Sequence, residues 1–336
     1  VYALGLRIPG HGTAPSGLLK VTWQDMAAAV SLAIQHLAEK NGNRPIHVIG
    51  YSNGAALAVQ YALSALDDPA LPRIDRLVLL SPEIGVTPAA AMAIWQARLG
   101  RLLGLEKLAW NEILPEYDPF KYGSFAVNAG NLSHRLTAEI QRHIGVLQEN
   151  GKLDGMPPLL AFSSVVDATV LAPALLNNLF NLLSPGGHEL VLFDINERIG
   201  LEHLLKWDPE EMLTALQNTT GSAYELSLVT NESPDSRYVV EQRWASGMGS
   251  AVITELGLQW PENVYSLSHV ALPFAPGDPL YGGEPREPSP GVELGNLALR
   301  GENHVLKVSP SAMLRLRWNP FYSYLDPRTL EFLDVQ

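Results

Sequence analysis

A serine becomes a nucleophile only where its hydroxyl is held free of local hydrogen bonding and near a base. Gly50-Tyr51-Ser52-Asn53-Gly54 has the local pattern for such a presentation. Before it, the apolar run Ile46, Val48, Ile49 is short enough for a buried strand; after it, small residues with Leu57, Val59 and Leu63 begin a helical period. The stretch therefore reads as strand, tight turn and helix, with the hydroxyl at the tip. Bulk at either flanking glycine is expected to collide with the neighbouring strand or helix. A helix starting just after Ser52 aims its unpaired backbone N–H groups at the same point, so the N–H of Asn53 is a candidate donor to a developing oxyanion. The competing reading is a Gly-rich turn in which Ser52 is only a helix N-cap.

The elements around this turn give the scaffold. Residues 1–8 read as a buried strand leading into the loop Pro9-Gly10-His11-Gly12-Thr13, where His11, ahead of the serine and between glycines, suits a loop-bracing role better than that of a base. Thr22-Trp23-Gln24-Asp25 opens a helix through Ala38 with Met26, Val30, Ala33, Ile34 and Leu37 on one face, and His36 beside that stripe. A strand over Ile74 to Leu80 ends in Ser81-Pro82-Glu83. This alternation predicts an α/β fold, a mostly parallel sheet with helices on both faces and its site at the carboxyl ends of the strands. The core is expected over residues 1–85 and 151–336. Residues 86–150, with Met92, Ile94, Trp95, Leu99, Leu102, Leu103, Leu105, Leu108 and Trp110, form a helical insertion in which His134 and His143 are expected at the surface.

From Pro157 the alternation resumes, with strands over Leu159 to Val166 and His188 to Asp194; His188 stands at the wrong end of its strand for catalysis. Runs at Tyr224 to Thr230, Tyr238 to Trp244 and Val252 to Leu258 suggest antiparallel strands in an insertion at about 197–262. A last amphipathic helix is expected near the carboxyl end.

The bulk properties exclude several functions. Of 336 residues, 46% are hydrophobic and 17% charged, a globular balance for one α/β domain with insertions. A formal charge of −12, with 23 scattered Lys and Arg, argues against a nucleic-acid surface. With no cysteine there is neither disulfide framework nor thiolate nucleophile. No HExxH pattern points to a metal, and no cofactor is required. No apolar run is long enough to span a membrane, although membrane association stays open. Val1-Tyr2-Ala3-Leu4-Gly5-Leu6 begins in mid-strand, so an upstream segment completing the sheet is expected, and localisation is left undetermined.

The order PGHGT, helix, GYSNG, then a strand ending in SPE resembles the α/β-hydrolase fold, in particular its serine esterase, monoglyceride-lipase and lysophospholipase-like branch. The resemblance covers residues 1–90 well and 155–205 by pattern. It implies Ser52 as nucleophile and the N–H of Asn53 as one oxyanion donor. The second donor belongs to a loop after an earlier strand that this sequence does not contain. The resemblance also implies that 86–150 is a cap or lid presenting an apolar groove to an acyl chain, with Tyr51, Trp95, Phe120 and Tyr122 candidate lining residues; the competing reading is a helical pair packed on the core. The implied substrate is an acyl ester or lipid.

Asp167, just past a strand end, resembles the acid position of the family; its other reading is a helix cap. An acid there would fix the tautomer of the histidine and stabilise its charged form. The chain order Ser, Asp, His expected of the fold leaves His203, His269 and His304. His203 lies at the usual short distance but in Gly200-Leu201-Glu202-His203-Leu204-Leu205, which looks helical. Ser266-Leu267-Ser268-His269 reads as a strand tip entering a Pro- and Gly-rich loop, as suits a histidine projected over a sheet edge. His269 is therefore the expected base, with His203 the alternative. Two other functions stay open: serine aminopeptidase, and a non-catalytic binding protein on the same scaffold.

Overall fold

The computed structural model describes residues 1–12, 14–42, 44–85, 109–116, 118, 121–200, 204–206, 208–217, 222–247, 249–283, 300–302, 305, 307 and 315–335. They divide into two compact units, Val1–Leu77 with Glu83–Pro157, and Val78–Pro82 with Pro158–Gln336. The main sheet has the strand order β1 (His47–Tyr51), β2 (Arg76–Leu80), β5 (Leu159–Ser164), β6 (His188–Phe193), β7 (Tyr224–Asn231), β8 (Tyr238–Trp244) and β9 (Val252–Gln259), and is mostly parallel, as an α/β fold requires. No helix among the described residues is long and apolar enough to cross a membrane.

In the first unit, helix α1 (Trp23–Asn41) starts where Thr22 and Asp25 cap each other: the Asp25 N–H donates to Thr22 Oγ1 at 3.2 Å and the Thr22 N–H to Asp25 Oδ2 at 2.8 Å. Its buried stripe is Met26, Val30 and Ile34. Strand β1 (His47–Tyr51) runs into α2 (Asn53–Asp67), in which small residues let the helix bury nearly its whole surface, including Ala55, Ala56, Leu57, Ala58 and Val59. Strand β2 (Arg76–Leu80) is shared between the two units. A short antiparallel pair, β3 (Trp110–Glu112) and β4 (Phe125–Ala126), precedes the long helix α3 (Val127–Glu149). Helix α3 packs on α2, with Leu132, Leu136, Ile140, Ile144 and Leu147 buried at intervals of four and three.

Two expectations fail in this unit. Residues 1–8 form no strand: they are almost entirely exposed, Val1 at 105% and Tyr2 at 66%, because a strand exists only as a hydrogen-bonded pair and no neighbour pairs with them among the described residues. His143 is not at the surface; it lies on the same helical face as Ile140, Ile144 and Leu147 and is buried. Its Nε2 meets Asp67 Oδ2 at 2.9 Å, and Lys152 Nζ donates to Asp67 Oδ1 at 2.9 Å. The 3.6-residue period could have placed it there.

In the second unit, β5 (Leu159–Ser164) is buried along its whole length, as a central parallel strand must be. It pairs in parallel with β6 (His188–Phe193). Helix α4 (Ala172–Asn178) lies between them in the chain. Strand β7 (Tyr224–Asn231) also pairs in parallel with β6, which corrects the expectation of an antiparallel strand: α5 (Pro209–Gln217) supplies the crossover that returns the chain in the same direction. Strands β8 (Tyr238–Trp244) and β9 (Val252–Gln259) are antiparallel as expected. The carboxyl-terminal helix α6 (Tyr322–Leu333) follows Phe321, whose ring stacks on Phe193 at 5.8 Å and meets Trp260 edge-on at 4.7 Å.

Candidate active site

Ser52 sits between β1 and α2 with φ 51° and ψ −118°, a left-handed backbone that a side chain adopts only under constraint. The constraint is visible. Ser52 O accepts the N–H groups of Ala55 at 3.1 Å, Ala56 at 3.3 Å and Glu83 at 3.2 Å. The Glu83 carboxylate takes the Asn53 side-chain amide at 2.9 Å, so Glu83 holds the turn through both its main chain and its side chain. Only one flanking glycine is sterically required. A Cβ on Gly50 would lie 2.6 Å from Ala55 Cα, whereas a Cβ on Gly54 would meet nothing within 4 Å among the described residues, contrary to the expectation that both are crowded. The Ser52 side chain makes no capping hydrogen bond to α2, so the N-cap reading does not hold.

The second unit holds a separate cluster. Asp167 follows β5 in a turn, and its Oδ1 accepts the N–H groups of Thr169 at 2.9 Å and Val170 at 2.8 Å. His269 is carried not by a strand but by the buried segment 264–268. Asn196 fixes one side of that segment, its Nδ2 donating to Val264 O at 2.8 Å and its N–H to Tyr265 O at 2.7 Å. On the other side the Tyr265 N–H donates to Arg300 O at 2.9 Å, and Ser268 Oγ donates to Leu316 O at 2.8 Å. The His269 ring, 10% exposed, brings its Nδ1 to 3.7 Å from Asp167 Oδ1 and 3.0 Å from Glu302 Oε2. Arg315 Nη2 closes the cluster, donating to Glu302 Oε1 at 2.6 Å.

The two carboxylates behave differently. Burial pushes Asp167 up to about 6; His269 pulls it down, and the charge of Glu302 adds to the rise. Burial also works to raise Glu302, but the His269 hydrogen bond and the charges of His269 and Arg315 outweigh it and hold the group below its ordinary value. Asp167, His269 and Glu302 offer atoms within 4.8 Å of one another, a spacing a cation could use, but Arg315 already occupies one Glu302 oxygen.

Asp167 and His269 thus come together, while Ser52 belongs to the first unit. Tyr51 is half-buried at the end of β1, and Tyr122 donates its hydroxyl to Gly10 O at 3.3 Å. His11 is exposed with its Nδ1 3.3 Å from Pro9 O, and His188 is buried with its Nδ1 accepting the Leu159 N–H at 3.3 Å. Trp95, Phe120, His203 and His304 lie outside the described residues. Glu302 and Arg315 had no sequence signal: neither sits in a motif, and Glu302 gains its place through contacts with Arg315 and with Tyr265, Ser266 and His269, which stand more than thirty positions earlier.

Residues 1–148 match the family model described as serine aminopeptidase, S33. Among solved structures, a monoacylglycerol lipase from Paleococcus ferrophilus is similar at 18% identity and a TM-score of 0.38, over 55% of this chain and 70% of that one. A soluble variant of monoglyceride lipase from Saccharomyces cerevisiae, in complex with a substrate analogue, gives 15% and 0.38 over 56% and 66%. Est1E from Butyrivibrio proteoclasticus with bound ferulic acid gives 22% and 0.32 over 56% and 65%. This chain thus spans less than two thirds of the latter two. Comparison with curated protein sequences returns no match.

Proposed function

We propose that the chain is a serine hydrolase on an α/β-hydrolase scaffold, and specifically a carboxylic-ester hydrolase acting through Ser52, His269 and Asp167. In this reading Ser52 Oγ attacks the ester carbonyl carbon while His269 Nε2 takes the hydroxyl proton. The tetrahedral oxyanion is met by the N–H of Asn53 at the start of α2. Collapse expels the alcohol, which leaves with the proton from His269, and the acyl group stays on Ser52 until water, deprotonated by the same imidazole, releases it as a carboxylic acid. Asp167 supplies negative charge facing the imidazolium. The substrate is an acyl ester or a lipid, with Tyr51 and Tyr122 as candidate lining residues.

The observation that carries the reading is the left-handed backbone at Ser52, clasped by Glu83 and with no cap to make, because strain of that kind persists where a function holds it. A second reading, amide hydrolysis at a peptide amino terminus, is favoured by the description of the family model that matches residues 1–148. Turnover of ester and aminoacyl-amide substrates with matched acyl groups separates the two. The ester reading expects faster release from the ester, lost in Ser52→Ala; faster release from the amide supports the peptidase, and no turnover of either supports a binding protein.

A further inference from the structure

Two carboxylates face one imidazole nitrogen in the second unit, and their contacts are unequal. Glu302 Oε2 lies 3.0 Å from His269 Nδ1, within hydrogen-bond range, while Asp167 Oδ1 at 3.7 Å is outside it. The same Glu302 oxygen accepts the backbone N–H of His269 at 2.9 Å. One oxygen with two lone pairs therefore ties the ring to its own main chain and leaves the imidazole little freedom to turn. Its partner oxygen is neutralised by Arg315 at 2.6 Å. The main chain of Glu302 is fixed as well: its N–H donates to Ser266 Oγ at 2.9 Å, and the Tyr265 hydroxyl donates to its carbonyl. Gly301 allows this approach, since a Cβ there would run into the Tyr265 ring. The side chain is wholly buried, yet each of its oxygens is satisfied.

Asp167 has none of this. Its Oδ1 is committed to the N–H groups of Thr169 and Val170, and its buried Oδ2 has no hydrogen-bond partner among the described residues.

We infer that Glu302 is the positioning residue for His269, fixing the Nδ1–H tautomer and ring orientation so that Nε2 carries the lone pair, with Asp167 acting as a second carboxylate at longer range. For the reaction this rests on the ester-hydrolase reading. When Nε2 gains the serine proton, the imidazolium charge faces Glu302 and Asp167; the Nδ1 proton stays on nitrogen, and Arg315 keeps Glu302 ionised.

Proton NMR of the ring N–H, assigned by its absence in His269→Ala, tests this without requiring turnover. The wild type should show a downfield Nδ1–H signal. Glu302→Gln should move it upfield or remove it, and Asp167→Asn should leave it in place. On an ester substrate, kcat should fall on the order of 10³-fold in Glu302→Gln and about tenfold or less in Asp167→Asn. The reverse pattern, with the signal lost in Asp167→Asn and kept in Glu302→Gln, overturns the inference. Should Glu302→Gln fail to fold, Arg315→Gln releases the carboxylate without touching His269. That variant should broaden the signal and lower kcat; an unchanged signal and rate contradict the assignment. A wild type with the expected N–H pattern but no hydrolysis leaves Glu302 in place and removes the hydrolase reading instead.

Discussion

Ser52, the proposed nucleophile, stands on a backbone with φ 51°. The left-handed conformation is held by three N–H donors on the Ser52 carbonyl and by Glu83 on Asn53. Ser52→Gly should therefore raise the free energy of unfolding by about 1 kcal/mol in urea titration, since relief of about 1–3 kcal/mol of strain is partly offset by the entropy glycine loses, about 0.5–1 kcal/mol. The same variant should lose all hydrolysis. A variant no more stable than the wild type would show that the turn stores no strain. The turn at Ser52 is legible in the sequence because strand, turn and helix are adjacent and the motif is local. Asp167 could be found because a carboxylate at a strand end is a local pattern too. Glu302 could not, because what distinguishes it is a bond to His269, 33 residues earlier in the chain.

At the scale of elements, the turn depends on one close approach between β1 and α2. Gly50→Ala drives a methyl group into Ala55 and should destabilise by about 2–3 kcal/mol, with activity falling alongside. Gly54→Ala enters open space within a helix and should stabilise by up to about 1 kcal/mol. Thermal or urea unfolding of the pair checks both signs; equal losses would return the turn to the symmetric crowding that the sequence pattern suggested. Elements with a strong period, such as α1 and α3, could be read directly. Pairing partners could not: residues 1–8 carry a strand pattern but have no pairing neighbour among the described residues, and β7, which reads as an antiparallel strand, is made parallel by α5. Periodicity reports which face is apolar, whereas strand direction depends on what connects two strands.

Across the whole molecule, buried acids set how stability depends on pH. Asp194 is buried, accepts the Ile195 N–H and the Thr230 hydroxyl, and is pushed by burial up to about 6 from an ordinary 3.8. The folded state therefore keeps a proton that the unfolded chain has already lost between those values, so stability falls as pH rises through that window. Asp167 acts in the same direction, while Glu302, held low, adds stability that is lost as pH falls. Asp194→Asn should gain on the wild type as pH rises from about 4 to about 7, by at most about 3 kcal/mol at about 1.4 kcal/mol per pH unit. Urea titrations across that range measure it, and a pH-independent difference would show that Asp194 titrates normally.

The most direct test of the account is reaction with a fluorophosphonate followed by peptide mapping, because only an activated hydroxyl is phosphonylated. One adduct per chain is expected, on the peptide that carries Ser52, absent in Ser52→Ala and strongly slowed in His269→Ala. No adduct, an adduct on another residue, or labelling at an unchanged rate in His269→Ala would contradict it.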